Sequence, residues 1–154
     1  MYSLYLNIYN NLIKLTRNKN LYNQNKSDSF YDRMVIFFFH LSFLLKIYKK
    51  DVSKKELQNF FDFCIRQIEL SIREIGYGDA TINKKMKEYV NLLFSIIDKI
   101  DNWEQIDISE KSKIIKIYIS DFENTENFVD YFEKYRIFLT KKSFINLSKD
   151  ILTI

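Results

Sequence analysis

Ser53-Lys54-Lys55-Glu56-Leu57 opens, and Ile72-Arg73-Glu74-Ile75-Gly76-Tyr77-Gly78-Asp79 closes, the stretch whose reading decides the fold. Ser53 with Glu56 three residues on is a capping-box pattern, in which hydroxyl and carboxylate each accept a backbone N–H that the first turn of a helix leaves unpaired. From there Leu57, Phe60, Phe61, Cys64, Ile65, Ile68, Ile72 and Ile75 recur at three- and four-residue spacing, while Asp62, Arg66, Glu69 and Arg73 point elsewhere. Gly76 is able to take the left-handed conformation that ends a helix. Asp79 or Thr81 then starts a further helix to about Ile100, with Ile82, Met86, Tyr89, Val90, Leu93, Ile97 and Ile100 as its apolar positions. Both glycines of the chain lie in this one corner, so the two helices are expected to fold back as an antiparallel hairpin.

Upstream, Asp28 or Ser29 caps a helix to about Tyr48 that is apolar nearly all round, as a central helix is. The polar stretch Asn18 to Asp28 reads as a loop or short helical turn, and Tyr2 to Leu15 as a first helix through Tyr5, Ile8, Tyr9, Leu12 and Ile13. Downstream, Ser109 to Phe122 reads as a helix, although Ile115, Ile117 and Ile119 also alternate as a strand would, because no second strand is there to pair with it. Asn124 or Thr125 to Leu139 forms an amphipathic helix through Phe128, Phe132, Tyr135 and Leu139, with a short helix from Ser143. The chain of 154 residues has no Pro and 2 Gly, too few turn residues for a sandwich or barrel. Its 47% hydrophobic content, with 14 Phe and 11 Tyr, excludes a disordered chain and fills a core without staples. The expectation is an all-α fold, a compact single-domain bundle of about six to seven helices over residues 1–154 with a central antiparallel helix hairpin.

Residue chemistry argues against catalysis. Cys64 is the single cysteine, which rules out an internal disulfide and the multi-cysteine zinc patterns and fits a reducing compartment. Its place on an apolar stripe makes it packing rather than nucleophile. The one histidine, His40, follows Phe37-Phe38-Phe39 and reads as a core or interface residue rather than a general base. Asp28, Asp32, Glu69, Glu74 and Asp79 have no spacing that pairs an acid with a base. Gly76-Tyr77-Gly78-Asp79 lacks the preceding strand and the Gly-Lys-Ser/Thr ending of a phosphate loop. No enzyme activity, metal or cofactor is expected. The first residues have no targeting pattern, and the longest apolar run, Met34 to Leu45, is shorter than the ~20 residues that cross a bilayer, so a cytoplasmic location is expected.

Charge is uneven. Net charge is +4, but residues 1–55 carry 10 Lys and Arg against 3 acids, whereas residues 56–154 carry 14 against 17. Such asymmetry suits a surface facing phosphate, anionic lipid or an acidic partner, or simply a solvated basic face. Arg73, Lys84, Lys85 and Lys87 place a basic patch around the glycine corner.

Asp28-Ser29-Phe30-Tyr31-Asp32-Arg33, leading into the apolar run that ends at His40, is similar to the Asp-Thr-x-x-Gly-Arg-Phe segment before the Leu-His helix of ubiquinol-cytochrome c chaperones. Phe61-Asp62, then Ile72 to Asp79, then Lys84-Lys85-Met86-Lys87 resembles that family's Leu-Arg-Glu-Met-Gly-x-Gly-Asp and Lys-x-Met-Lys signature. The likeness runs over residues 12–94. It departs where Asp32 replaces Gly, Met34 replaces Phe, and Leu93-Phe94-Ser95-Ile96 replaces Phe-Tyr-Gly-Arg.

The resemblance implies a non-catalytic assembly factor for respiratory complex III, with newly made cytochrome b or another complex III subunit as its partner. A small co-chaperone, the ribosome and peripheral contact with the cytoplasmic face of a bacterial inner membrane complete the implied partners, with no DNA. The protein-binding residues it suggests are Asp28, Arg33, His40, Arg73, Glu74, Gly76, Gly78, Asp79, Lys84 and Lys87. A transmembrane client offers apolar segments whose backbone bonds are already closed, so such a chaperone needs an exposed apolar groove, which aromatics at the edge of the second helix are expected to line. The alternative is a basic helical module that binds the ribosome or RNA.

Overall fold

A helix that is apolar on every side has to be covered on every side, and the arrangement of this chain follows from that requirement. The computed structural model describes residues 2–18, 21, 29–119 and 125–149. Among them are six α-helices: α1 (Tyr2–Thr16), α2 (Phe30–Tyr48), α3 (Lys54–Ile75), α4 (Asp79–Lys99), α5 (Ile108–Tyr118) and α6 (Thr125–Thr140). Two short 3₁₀ turns, Trp103–Gln105 and Ile145–Ser148, complete the described residues, which hold no strand. The all-helical bundle read from the sequence is the fold.

The middle belongs to α2. Ser29 caps it, its Oγ accepting the Asp32 N–H at 3.1 Å, while Asp28, the other candidate cap, lies outside the described residues. Buried positions run along the helix and around its circumference from Met34 to Leu44, which only an enclosed helix allows. The helices α1, α4 and α6 pack directly on it; α3 packs on α1 and α4, and α5 on α6. Phe39 and Phe43 each lie against Phe132 of α6 with ring centroids 5.5 Å apart, and burial of each ring is worth about 2 kcal/mol or more.

Side chains from distant parts of the chain tie the layers together. Asn11 Nδ2 donates to the Leu147 carbonyl at 2.7 Å, fastening the final turn to α1. The Tyr48 hydroxyl sits 2.9 and 2.8 Å from the carbonyls of Leu139 and Lys142 and holds the end of α6. Lys46 Nζ donates to the carbonyls of Ile100 and Asp101 at 2.9 and 2.6 Å and to Glu104 at 2.6 Å, closing the last turn of α4. Trp103 is fully buried, and its Nε1–H meets Glu133 Oε1 at 2.5 Å. Burial alone would raise the Glu133 pKa, but hydrogen bonds from Lys111, Arg136 and Trp103 outweigh it and hold the carboxyl below its ordinary range.

Local expectations and structure differ in a few places. The fifth helix starts from Asp107, whose side chain accepts the Glu110 N–H at 2.9 Å, and it places Ile115, Tyr118 and Ile119 inward at helical spacing, which removes the strand alternative. It ends at Tyr118, short of the expected Phe122, because Ile119 leaves helical conformation at φ −132° and ψ 87°. The segment after Ser143 is a 3₁₀ turn, and the turn at Trp103 was not expected. Ile75, placed on the buried stripe by periodicity, is 56% exposed as the last residue of α3, at the hairpin corner.

Candidate protein-binding groove

The hairpin corner forms as the glycines suggest, but only one of them is needed there. Gly76 has φ +101°, and its N–H returns to the Arg73 carbonyl at 3.0 Å. Gly78 has ordinary extended angles, and a Cβ added there would touch nothing within 4 Å. Across the corner Arg73 donates to Asp79 at 2.9 Å and lies 3.7 Å from Glu69, which also pairs with Arg66. Lys85 stands over the Tyr77 ring, 4.9 Å from its centroid.

Arg73, Glu74, Gly76, Gly78, Asp79, Lys84 and Lys87 are all exposed on this hairpin tip or on the first turns of α4 just beyond it. The structure therefore gathers seven of the residues singled out from sequence. Arg33 is exposed on the first turn of α2, and Asp28 lies outside the described residues. His40 is in the core with no exposed surface, so it offers nothing to a partner. The basic patch expected at the corner is partly cancelled, since the guanidinium of Arg73 is matched by two carboxylates.

From the tip toward the base, two open depressions that meet at Phe61 form a groove along α3 and α4. Its tip half encloses about 530 Å³ over a floor of Phe61, Ile65, Met86 and Val90. Its base half, about 550 Å³, is walled by α2 as well and has Leu45, Leu57, Phe61, Phe94 and Ile97 as its apolar surface. Phe61 and Phe94 stack across it at 5.6 Å with planes 27° apart, and Phe94 is 53% exposed. A large aromatic left half in water at the seam of two helices is the kind of surface that a second apolar body covers.

The aromatics at the edge of α2 do not line this groove, contrary to expectation: Phe30 and Tyr31 are exposed at its first turn outside the groove, and Phe37, Phe38, Phe39 and Phe43 are buried in the core. Its aromatic lining, Phe61 and Phe94, comes from α3 and α4 instead. Phe94 was not among the positions read from the α4 stripe, although it lies one turn past Val90, and nothing local in the sequence says that no further helix covers it.

Neither residue with latent reactivity can act on a substrate. His40 Nδ1 donates to the Ile36 carbonyl at 2.8 Å, so Nε2 is the acceptor, 2.7 Å from the Tyr131 hydroxyl that donates to it. Burial lowers its pKa to about 4, the bond to Ile36 opposing that only in part, so the ring is neutral at pH 7. Burial likewise pushes the Cys64 thiol well above its ordinary value, away from the reactive thiolate. Among the described residues no three His, Cys, Asp or Glu side chains gather as a metal site. No helix among them is long and apolar enough to cross a membrane.

Fold and surface together define an all-helical bundle with an open apolar groove on one hairpin. That fold is similar to the Cbp3 homolog from Brucella abortus, whose crystal structure matches 99% of this chain and 90% of its own length with a TM-score of 0.78 at 19% sequence identity. At that identity the likeness is one of fold. No family model and no curated protein sequence matches the chain.

Proposed function

We propose that this chain is a non-catalytic assembly chaperone for ubiquinol-cytochrome c reductase, respiratory complex III, and that it binds newly made cytochrome b. The observation that carries the reading is the fold it shares along nearly its full length with a Cbp3 homolog, Cbp3 being the ubiquinol-cytochrome c chaperone. Two features support it independently. The Ile72 to Asp79 motif builds the corner of an exposed hairpin, and that hairpin carries an apolar groove of the sort a hydrophobic client segment covers. A small co-chaperone, the ribosome and the cytoplasmic face of the inner membrane are the further contacts of this reading, the hairpin tip and the basic N-terminal third being the surfaces that face them.

Deleting the gene in its host and assaying each respiratory complex tests the proposal. Cytochrome b and complex III should fall while the other complexes persist; intact complex III would refute it. Reversing Arg73, Lys84 and Lys87 together to Glu should impair assembly in a domain that still folds, because all three side chains are exposed. Unchanged assembly in that variant would leave these residues as solvated charges. Against the ribosome or RNA alternative, the complex with a client should survive salt, since apolar contact does not share the steep salt dependence of phosphate binding.

A further inference from the structure

We infer that the base of the α3–α4 groove selects the acidic end of a helix that docks along it, with Lys49 and Lys54 as the residues that read the charge. This rests on the chaperone reading, in which the groove is where a protein partner binds, and it names the chemistry of that partner segment.

The shape argues for a helix. The lining positions on α3 run from Lys54 to Glu69 at three- and four-residue spacing, a length of about 23 Å at the rise of an α-helix. The trough is open along its outer side, and its apolar spots are separated by about one turn. That pattern meets the anchor residues of an amphipathic helix laid into a groove.

The charge gives the direction. At the tip half the rim is balanced: Arg66 is paired with Glu69, and Asp62 faces Lys87 in number. At the base half, Lys46, Lys49 and Lys54 border the depression against one acid, Asp101. Lys46 is consumed by Glu104 and the carbonyls of Ile100 and Asp101. Lys49 and Lys54 are exposed and make no ion pair among the described residues, so their charge is available to an incoming group. A helix of about four turns, apolar on one face and carrying carboxylates at the end beside Lys49 and Lys54, fits both the floor and the rim.

The test uses the full chain and two labelled synthetic helices with the same apolar face, one ending in a Glu pair and one in a Lys pair, followed by fluorescence anisotropy. The acidic helix should bind about tenfold tighter at low salt, a margin that narrows as salt screens the rim. The double variant Lys49→Glu, Lys54→Glu should invert the preference, and Phe94→Ser should weaken both helices alike. Circular dichroism establishes that the variants fold, as substitutions at exposed positions permit. Equal binding of the two helices, or a preference untouched by the double variant, overturns the inference while a Phe94→Ser effect keeps the groove reading. Failure of both helices to bind, or indifference to Phe94→Ser, overturns the groove reading and the inference with it.

Discussion

Phe43 on α2 and Phe94 on α4 are the same side chain on two helices that touch, yet the first is enclosed between Trp103 and Phe132 and the second lies half in water against Phe61. The two helices divide the labour of the molecule. On α2 nearly every face has a neighbour, so its aromatics hold the bundle together. The α3–α4 hairpin has neighbours on one side, so the residues on its outer seam cost little stability and are free to serve a partner. Stability and binding are thus carried by different helices, although composition alone does not distinguish them.

The comparison breaks most visibly if a core aromatic is cut away. Phe43→Ala should destabilise the protein by about 3–5 kcal/mol in urea unfolding, since it removes both the ring's burial and its packing on two aromatic neighbours. A loss below about 1 kcal/mol would mean that α2 is not the enclosed centre.

The next effect is titration of the α2 histidine. The folded ring protonates only near about 4, against 6.5 for the ordinary imidazole, so between these values the unfolded chain binds the additional proton. Stability is therefore complete above the unfolded value and falls as pH drops through the window, by about 3 kcal/mol in all. Measurement between about pH 5 and 6.5 covers the part of this window nearest the ordinary imidazole value. His40→Gln should flatten the slope there; a wild-type curve already flat over that range would contradict the buried neutral ring.

At the hairpin the expected effects are smaller. Gly76→Ala, which forces a side chain into the left-handed region, should cost about 1–2 kcal/mol, whereas Gly78→Ala should stay within about 0.5 kcal/mol. Equal effects of the two would deny that Gly76 alone turns the corner. On the seam, Phe94→Ser should cost about 1 kcal/mol, because the ring is only half buried against Phe61, while reducing helix binding. A large stability loss there would place Phe94 with Phe43 and erase the contrast.

Some of this was legible before any coordinates. Ser53 does accept the Glu56 N–H at 3.1 Å, Gly76 does take a left-handed conformation, and the hairpin residues do meet at one tip. These features depend on residues within a turn of one another. The Trp103 turn was not legible, because its anchor is Glu133 on α6 and no local pattern announces a partner 30 residues away. The site was legible only in part. Its apolar lining could be read as two helical stripes, but a stripe looks the same whether a core or a groove lies against it, and the aromatics at the edge of α2 were expected in a groove whose rings come from α3 and α4.

By itself the amino-acid sequence determined where the helices start and stop, which of them is apolar all round and where the chain reverses, because caps, periodicity and glycine conformations are settled by contacts within about four residues. The tertiary structure alone decided that Ile75 and Phe94 stay in water and that Lys49 and Lys54 border an apolar trough. Burial and open surface are properties of how much area distant segments cover, and that sum is not written in any short stretch of chain.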